Sequence, residues 1–456
     1  MTFRLPLEEL RRAIKGVVVT PDSPGFAEET AGFNLANTYS PELAVGIASE
    51  TDAIEAVRFA RQHELRIRIL ATGHGPIDPV TDGMLIVTKR LDSVAIDPET
   101  KIATIGAGVK WGVVQAAAAP FGLTAITGSS PDVGAIGLAL GGGIGPLARS
   151  HGFTSDYVQS FRVVTGTGEV VTASDDENQE LFWALRGGKG GLGLVTEMTI
   201  ALVALPTIFA GAIIFDEPHI ETVLRGWADW TASAPDDVTT SAAMIHFPPF
   251  ETVPEPVRGH FGIAIRFAYP GSPEEGAALA EPLRGLAPAL MDYVGELPTS
   301  QMGIIHSDPT EPMPAWDRGT LLNTIDQPLV TALLAQLGPG VESPFMISEF
   351  RHLGGATATD VPNGSAARGR RAGFTFYTVA IPNETAVAGE LEASATRLVE
   401  SLGPWMSQEL HPNFSSPVTT WEQFADGWPR DVLERLVAVK KQYDPHALFT
   451  YGPVAR

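Results

Sequence analysis

A histidine lies between two glycines in the stretch ATGHGP, residues 71–76. Because glycine has no side chain, the backbone on either side of His74 can approach a large partner closely, and the imidazole can then contact it. Glycine and proline also form ordinary turns in which a histidine has no special role. His74 therefore has two interpretations: a polar turn residue, or a ligand of a group that packs against this backbone.

Three further glycine-rich loops follow, at residues 125–134 (AITGSSPDVG), 134–153 (GAIGLALGGGIGPLARSHGF) and 186–193 (RGGKGGLG). Such loops let a backbone approach a ligand and direct its N–H groups at phosphate oxygens. The 134–153 run does not fit the Rossmann fingerprint, because it lies well inside the chain and precedes a predicted hairpin. Each loop alone is weak evidence for ligand binding, and the presence of all four in one part of the chain is stronger evidence.

Several other chemistries have no support in the sequence. The chain has no cysteine, which excludes disulfides, thiolate nucleophiles, iron–sulfur clusters and cysteine-based zinc sites. Its ten histidines form no H-E-x-x-H motif and no close pair, so we expect no metal site. Neither a G-x-S-x-G elbow nor a P-loop occurs, which leaves serine hydrolases and P-loop enzymes without support.

Composition and charge restrict the partners. The chain has 456 residues, 44% hydrophobic and 18% charged, which is typical of a globular protein of two or three domains. Its formal charge of −22 disfavours nucleic acid and anionic membranes as partners. No apolar run approaches the length of a membrane span, and the N-terminus is unlike a signal peptide. We expect a cytoplasmic protein, as a monomer or homodimer, that binds a small molecule.

The hydrophobic pattern predicts two kinds of unit. Up to about residue 205, short strands such as RIRIL (66–70) alternate with short helices. After it, longer strands such as HFGIAIRFAY and AGFTFYTVAI are separated by amphipathic helices. The predicted class is α+β, with an antiparallel sheet in the second unit. We expect a split first domain, residues 1–205 and 404–456, with a second domain, residues 206–403, inserted in it.

The motifs taken in order resemble one family. They are TGHG (72–75), IGAGVKWGVVQ (105–115), GSSPDVGAIGLALGGGIGPLARSHGFTSD (128–156), LFWALRGGKGGLGLVTE (181–197) and KKQYDPHALF (440–449). This succession resembles the berberine bridge enzyme-like flavoproteins of the vanillyl-alcohol oxidase (PCMH-type FAD) superfamily. The resemblance implies a split FAD-binding domain with an inserted substrate domain whose antiparallel sheet covers the flavin. It also implies hydride transfer from an alcohol, sugar or secondary metabolite to flavin N5, with O2 as the acceptor.

The resemblance assigns the cofactor residues. It implies that His74 bonds covalently to the 8α carbon of FAD. Ser130 stands where many relatives have a second link through cysteine, so we expect a single link. Val133 matches a position where valine is associated with oxygen access, which favours an oxidase. The other implied cofactor-binding residues are Thr72, Gly73, Gly75, Pro76, Ser129, Gly134, Gly137, Leu138, Gly141, Gly142, Gly143, Gly145, Asp156, Val195 and Asn413.

The catalytic base departs from the family pattern. Relatives often have tyrosine at the positions of Pro76, Ile144 and His411, so their phenolic base is missing here. The candidates for the base are His411, from its position; Tyr377, on a strand with alternating faces; and Glu349, at a strand end. Structural alternatives stay open: Tyr377 as a core aromatic, and Glu349 as an ion-pair partner of Arg351.

Three other functions remain open from the sequence. The first is a dehydrogenase of the same fold that passes electrons to an acceptor other than O2. The second is a nicotinamide-dependent Rossmann reductase, which would bind NAD(P)H and carry no yellow chromophore. The third is a non-catalytic protein that keeps the FAD scaffold for binding.

Overall fold

The computed structural model describes residues 5–75, 79–383, 387–414, 425 and 428–451. Pro76, one of the expected cofactor residues, lies outside the described residues. Within these ranges, no helix is both long and apolar enough to cross a membrane.

Nineteen strands occur in the described ranges. In chain order they are β1 (Val17–Val19), β2 (Leu43–Gly46), β3 (Ile67–Leu70), β4 (Met84–Val87), β5 (Val94–Asp97), β6 (Ile102–Gly106), β7 (Leu123–Thr124), β8 (Val158–Val164), β9 (Val170–Ser174), β10 (Leu194–Ala201), β11 (Val203–Ala204), β12 (Thr207–Asp216), β13 (Thr239–His246), β14 (Phe261–Tyr269), β15 (Met291–Asp292), β16 (Gly295–Pro298), β17 (Trp316–Leu322), β18 (Ile347–His352) and β19 (Phe374–Ala380).

The α-helices in the same ranges are α1 (Leu7–Ala13), α2 (Phe26–Thr30), α3 (Glu50–Gln62), α4 (Trp111–Ala118), α5 (Ala135–Ala139), α6 (Ala148–His151), α7 (Gln179–Leu185), α8 (Ile220–Thr231), α9 (Pro273–Arg284), α10 (Gln327–Leu337), α11 (Ala388–Ser401) and α12 (Arg430–Tyr443). Short 3-10 helices occur at Ala119–Phe121, Thr154–Tyr157, Glu217–His219, Thr299–Ile305, Gly355–Ala358 and Gly403–Trp405.

The strands form two smaller sheets, a large sheet and a short pair. The first sheet has the order β1-β2-β4-β3, and the second, which is antiparallel, has the order β5-β6-β10-β8-β9. The large sheet has eight strands, β15-β12-β14-β13-β18-β19-β17 with β16 beside β12, and all its pairings are antiparallel. The predicted α+β class with an antiparallel sheet is confirmed. Among the described strands there is no doubly wound parallel sheet of the kind a Rossmann reductase requires.

Helices cover one face of the large sheet, and this explains the amphipathic pattern of the sequence. In α8, the residues Ile220, Val223, Leu224, Trp227, Ala228 and Thr231 are buried at helical spacing. They join one apolar core with side chains of the sheet such as Phe267, Phe350 and Phe376. Because successive side chains of a strand point to opposite faces, the alternate residues of β18 and β19 lie on the other face of the sheet. That second face forms one wall of the candidate site.

Candidate functional site

A cavity of about 430 Å³ lies between the glycine loops and the large sheet. Strands β17, β18 and β19 contribute one wall, and the segments around Asn413 and Phe449 close it from the C-terminal part of the chain. Most of the expected cofactor residues line the cavity. They are Thr72, Gly73, His74, Gly75, Ser129, Ser130, Val133, Gly134, Gly137, Leu138, Val195 and Asn413. Folding therefore brings together loops that are far apart in the sequence.

His74 faces the cavity in a fixed orientation. Its ring stacks on Phe33, with the ring centroids 3.6 Å apart and the planes 14° from parallel. Its Nε2 atom is buried and has no hydrogen-bond partner among the described residues. Burial lowers the pKa of His74 to about 4, so the imidazole is neutral at neutral pH. A neutral ring with an unsatisfied nitrogen facing a cavity fits a bond or a hydrogen bond to a ligand.

The cavity fits a flat, largely apolar group such as the FAD isoalloxazine. At Gly75 and Gly137, an added Cβ would have no described atom within 4 Å, so both glycines face open space. Gly73 differs, because it has φ +72° and its Cβ would lie 2.7 Å from Gly32 Cα. Gly75 and Gly137 thus leave room beside the backbone, and Gly73 allows the turn that precedes His74.

The glycine turn at 141–145 packs closely against other protein segments. Gly141, Gly142, Gly143 and Gly145 are absent from the cavity wall formed by the described residues. A Cβ at Gly142 would lie 2.7 Å from His411 Nε2, and one at Gly145 would lie 1.8 Å from the carbonyl oxygen of Thr127. The N–H of Gly143 donates to Asn413 Oδ1 at 3.0 Å. The absence of side chains makes this packing possible, and the expected contact of these glycines with the cofactor stays a prediction.

His411 lies behind this turn and not on the cavity wall. Its ring is fully buried and packs edge-on against Phe153, with the ring centroids 5.0 Å apart. Burial lowers the pKa of His411 to about 3, and the positive charges of Lys189 and Arg370 add to the effect. These contacts support the glycine turn, and the expected role of His411 as the base stays a prediction.

Asp156 also lies away from the cavity wall. It accepts a hydrogen bond from the N–H of Phe153 at 2.9 Å. It also forms an ion pair with Arg370, in which Nη2 and Oδ1 are 2.6 Å apart. Since Arg370 precedes β19, this pair ties the loop after the glycine turn to the large sheet. Asp156 thus fixes the positions of the segments around Phe153 and Arg370, and it does not contact the cavity itself.

Tyr377 and Glu349 meet on the face of the large sheet that looks towards the cavity. They are register partners on β19 and β18, and Gly319 of β17 lies opposite Tyr377. The Tyr377 hydroxyl donates to Glu349 and accepts a hydrogen bond from Arg351 Nη2 at 2.7 Å. Tyr377 and Arg351 line the cavity, whereas Glu349 is fully buried beneath them.

Glu349 is the centre of a buried network of charges. It accepts hydrogen bonds from Arg266, from Arg351 Nε at 3.0 Å and from Ser241 Oγ at 2.7 Å. Burial alone would raise the pKa of Glu349, but the two arginines hold it well below its usual range. Burial raises the pKa of Tyr377 well above its usual range. Glu349 is therefore a carboxylate that orients Tyr377 and Arg351, and it does not itself face the cavity.

A chain of polar contacts connects this network to the loop after Gly128. Arg351 Nη1 donates to Ser129 Oγ at 3.2 Å, and Ser129 Oγ donates to Asp308 Oδ2 at 3.1 Å. Sequence reasoning missed Asp308, Asp317 and Lys189, which all line the cavity. Lys189 had a signal, since it is the one residue with a charge between the glycines of the loop that follows Arg186. The two aspartates lie on segments without a motif.

A family model described as an FAD binding domain matches residues 41–174. These residues include the first three glycine loops and therefore most of the cavity wall opposite the sheet. The fold and the cavity thus define an FAD-binding protein.

Three similar proteins extend this result. The chain is 38% identical to (R)-6-hydroxynicotine oxidase of Paenarthrobacter nicotinovorans over 210 residues, which span 46% of each protein. It is 28% identical to the FAD-linked oxidoreductase fogF of Aspergillus ruber, over 97% of this chain and 92% of the relative. The crystal structure of 6-hydroxy-D-nicotine oxidase from Arthrobacter nicotinovorans superposes with a TM-score of 0.82, at 25% identity over 99% of both chains.

The matched FAD-binding domain and these relatives bear out the resemblance to PCMH-type FAD-binding oxidoreductases that the motifs show. The chain is an FAD-dependent oxidoreductase.

The buried network predicts a large loss of stability when Glu349 is changed to glutamine. The substitution leaves Arg266 and Arg351 close together without a carboxylate, and breaking a buried pair in this way costs about 3–5 kcal/mol. The partly exposed pair of Glu392 with Arg318 is the control, because Glu392→Gln there should cost less than about 1 kcal/mol. Denaturant unfolding of both variants measures the difference, and equal losses would contradict the network.

The same measurement has a predicted pH dependence. The pKa of Glu349 is lower in the folded chain than its ordinary value of 4.5, so its contribution to stability is complete above that value. The contribution is lost as the pH falls from 4.5 towards the folded pKa. The stability difference between wild type and Glu349→Gln should therefore shrink below pH 4.5.

Proposed function

We propose that this protein is an FAD-dependent oxidase of small, largely apolar alcohols or amines, with O2 as the electron acceptor and a single histidyl link to FAD. The observation that carries the proposal is the unbonded, buried Nε2 of His74 at one end of a cavity that the glycine loops leave open. Val133, at the position that favours an oxidase, lies on the wall of the same cavity.

FAD supplies the hydride acceptor when it is bound, and the residues of the chain hold and orient it. His74 would hold the isoalloxazine, and the stack on Phe33 supports this role because it fixes the orientation of the imidazole. Ser130 is buried on the same wall and cannot form the second covalent link that a cysteine would.

The sheet wall of the cavity argues for an apolar substrate. Besides the polar Asp317, Arg351 and Tyr377, it presents Ile347 and Val379, and the adjoining segments add Met313, Met346 and Phe414. A sugar carries a hydroxyl on nearly every carbon, and each one needs a hydrogen-bonding partner when it is buried. We therefore place sugars behind aromatic or alicyclic metabolites among the substrate classes that the sequence left open. The name of 6-hydroxynicotine oxidase, which refers to a nicotine derivative, is consistent with this choice.

Tyr377 can accept a hydrogen bond from the substrate. A tyrosine hydroxyl has one donor hydrogen and two acceptor lone pairs. Here the hydrogen goes to Glu349 and one lone pair accepts from Arg351, so one lone pair remains for a substrate O–H or N–H. Arg351 already donates to Glu349, Tyr377 and Ser129, and it acts as a support.

The proton of the substrate leaves as its C–H hydride leaves, and a carbonyl or imine forms. The raised pKa of Tyr377 keeps its hydroxyl protonated at neutral pH, and the lowered pKa of Glu349 makes its carboxylate a weak base. The O–H or N–H becomes strongly acidic only when the adjacent carbon loses its hydride, so a weak base is enough at that moment. We assign a relay to the pair: as the Tyr377 oxygen accepts the substrate proton, its own hydroxyl hydrogen passes to Glu349, which becomes a neutral carboxyl.

The covalent link is tested by acid precipitation. We expect yellow flavin to stay in the pellet of the wild-type protein, because a covalent bond survives unfolding. In His74→Ala the flavin should move to the supernatant, whereas His63→Ala, which changes a histidine whose ring is tilted against Phe59 at the end of α3, should behave as wild type. Wild-type flavin found in the supernatant would exclude the histidyl bond but leave FAD as the cofactor.

The substrate class is tested by O2 uptake and H2O2 formation with a panel of compounds. Aromatic and alicyclic alcohols and amines should react with kcat/KM at least about 100-fold above that of mono- and oligosaccharides, because a sugar would leave buried hydroxyls unpaired. Turnover with an artificial electron acceptor but without O2 uptake would favour the dehydrogenase alternative. Higher activity on sugars would contradict the apolar assignment.

The role of Tyr377 is tested by Tyr377→Phe. The loss of its acceptor should lower kcat by about 10²–10⁴ with the FAD content unchanged. A matched control is Tyr269→Phe, since Tyr269 donates to Glu275 at 3.0 Å in the same sheet but away from the cavity. A Tyr377→Phe enzyme with wild-type kcat on the best substrate of the panel would exclude Tyr377 as the acceptor.

A further inference from the structure

Lys189 is held in a backbone conformation that lysine rarely adopts. Its φ is +70°, between Gly187 and Gly190, which both have φ +99°. For a residue with a Cβ, this left-handed region costs roughly 1–2 kcal/mol. Glycine would fit the loop without that cost, so the lysine side chain must have a compensating interaction.

Lys189 is a buried residue on the cavity wall. It is 9% exposed, and its Nζ takes part in no hydrogen bond in the described part of the chain. Its Nζ is not one of the fully enclosed polar atoms, so it is open to the cavity. Burial lowers the pKa of Lys189 to about 8, so the amine is still protonated at neutral pH. The charged or titratable groups that act on it are Asp317 of β17 and His411 of the C-terminal segment. A negatively charged group of a ligand in the cavity would pair with this ammonium.

The position of Lys189 indicates which part of the ligand it meets. Asp317, its charge partner, pairs with Val379 on the sheet, next to the pair of Gly319 and Tyr377. Lys189 and Asp317 both line the cavity, and Asp317 lies on its sheet wall. The reacting part of the cofactor must also lie against that wall, because hydride transfer needs contact with the substrate. The phosphates of FAD take no part in that contact.

We propose that the Lys189 ammonium stabilises the negative charge that the isoalloxazine gains on reduction, and that it thereby sets the potential of the bound flavin. A hydride brings two electrons and one proton, so the ring gains one negative charge unless a second proton is bound. A positive charge in a cavity without water favours that form. The inference requires FAD in the cavity, and it does not depend on which substrate or acceptor the enzyme uses.

The test is the midpoint potential of the bound flavin, measured by spectroscopic reduction with a reference dye and without substrate. FAD content is measured first from absorbance, so that failure to bind FAD is separated from a change in potential. Lys189→Met should shift the oxidised-to-reduced equilibrium at least tenfold towards the oxidised form, which is about 30 mV for a two-electron couple. Lys189→Arg, which keeps the charge, should restore most of the potential.

Two further variants separate the charge from the fold. Lys189→Gly removes the charge and relieves the left-handed strain, so it should fold at least as well as wild type and still show the lowered potential. Lys101→Met changes an exposed lysine that also has positive φ, +55°, and should leave the potential unchanged. A wild-type potential in both Lys189→Met and Lys189→Gly would overturn the proposal. So would loss of FAD from Lys189→Gly alone, which would assign Lys189 to cofactor binding.

Discussion

The buried carboxylate of Glu349 is the interaction on which the candidate site depends. Two arginines, a serine and a tyrosine from four neighbouring strands of the large sheet all contact it. Without the carboxylate, Arg266 and Arg351 would repel each other in a region without water. With it, the Tyr377 hydroxyl has a fixed direction, and Arg351 reaches Ser129 in the loop opposite. The charge of Glu349 thus orders the side of the cavity formed by the large sheet, and through Arg351 it connects that side to the glycine loop of Ser129.

The sequence predicted the fold class and much of the cavity wall, because glycine loops and hydrophobic periodicity are local signals. It named the catalytic candidates but carried no signal of how they lie relative to one another. The burial of His411 and Glu349 depends on which segments pack over them, and no local pattern records that. In the same way, the pattern of glycines at 141–143 does not record that His411, Asn413 and Thr154 lie beside them. Asp308 and Asp317 gave no signal, since a lone aspartate in a loop or edge strand is ordinary.

The glycines of this protein therefore fall into two groups that the sequence alone does not separate. Gly75 and Gly137 leave space for a ligand, whereas Gly142 and Gly319 leave space for protein: a Cβ on Gly319 would lie 1.9 Å from the carbonyl oxygen of Phe414. The second group brings the C-terminal segment against the turn and the sheet, so Asn413 and Phe414 reach the cavity. Both groups shape the cavity, and Gly319 of the second group also lines it.

The alternation of the large sheet has a consequence for how such an enzyme can evolve. The side chains of β18 and β19 that face the cavity, such as Ile347 and Val379, are separate from those that pack under the helices, such as Phe350 and Phe376. Exchanges on the cavity face change the shape offered to a substrate and leave the helix-covered core intact. Substrate preference can thus diverge among descendants of this chain while the cofactor loops and the folding core are inherited unchanged.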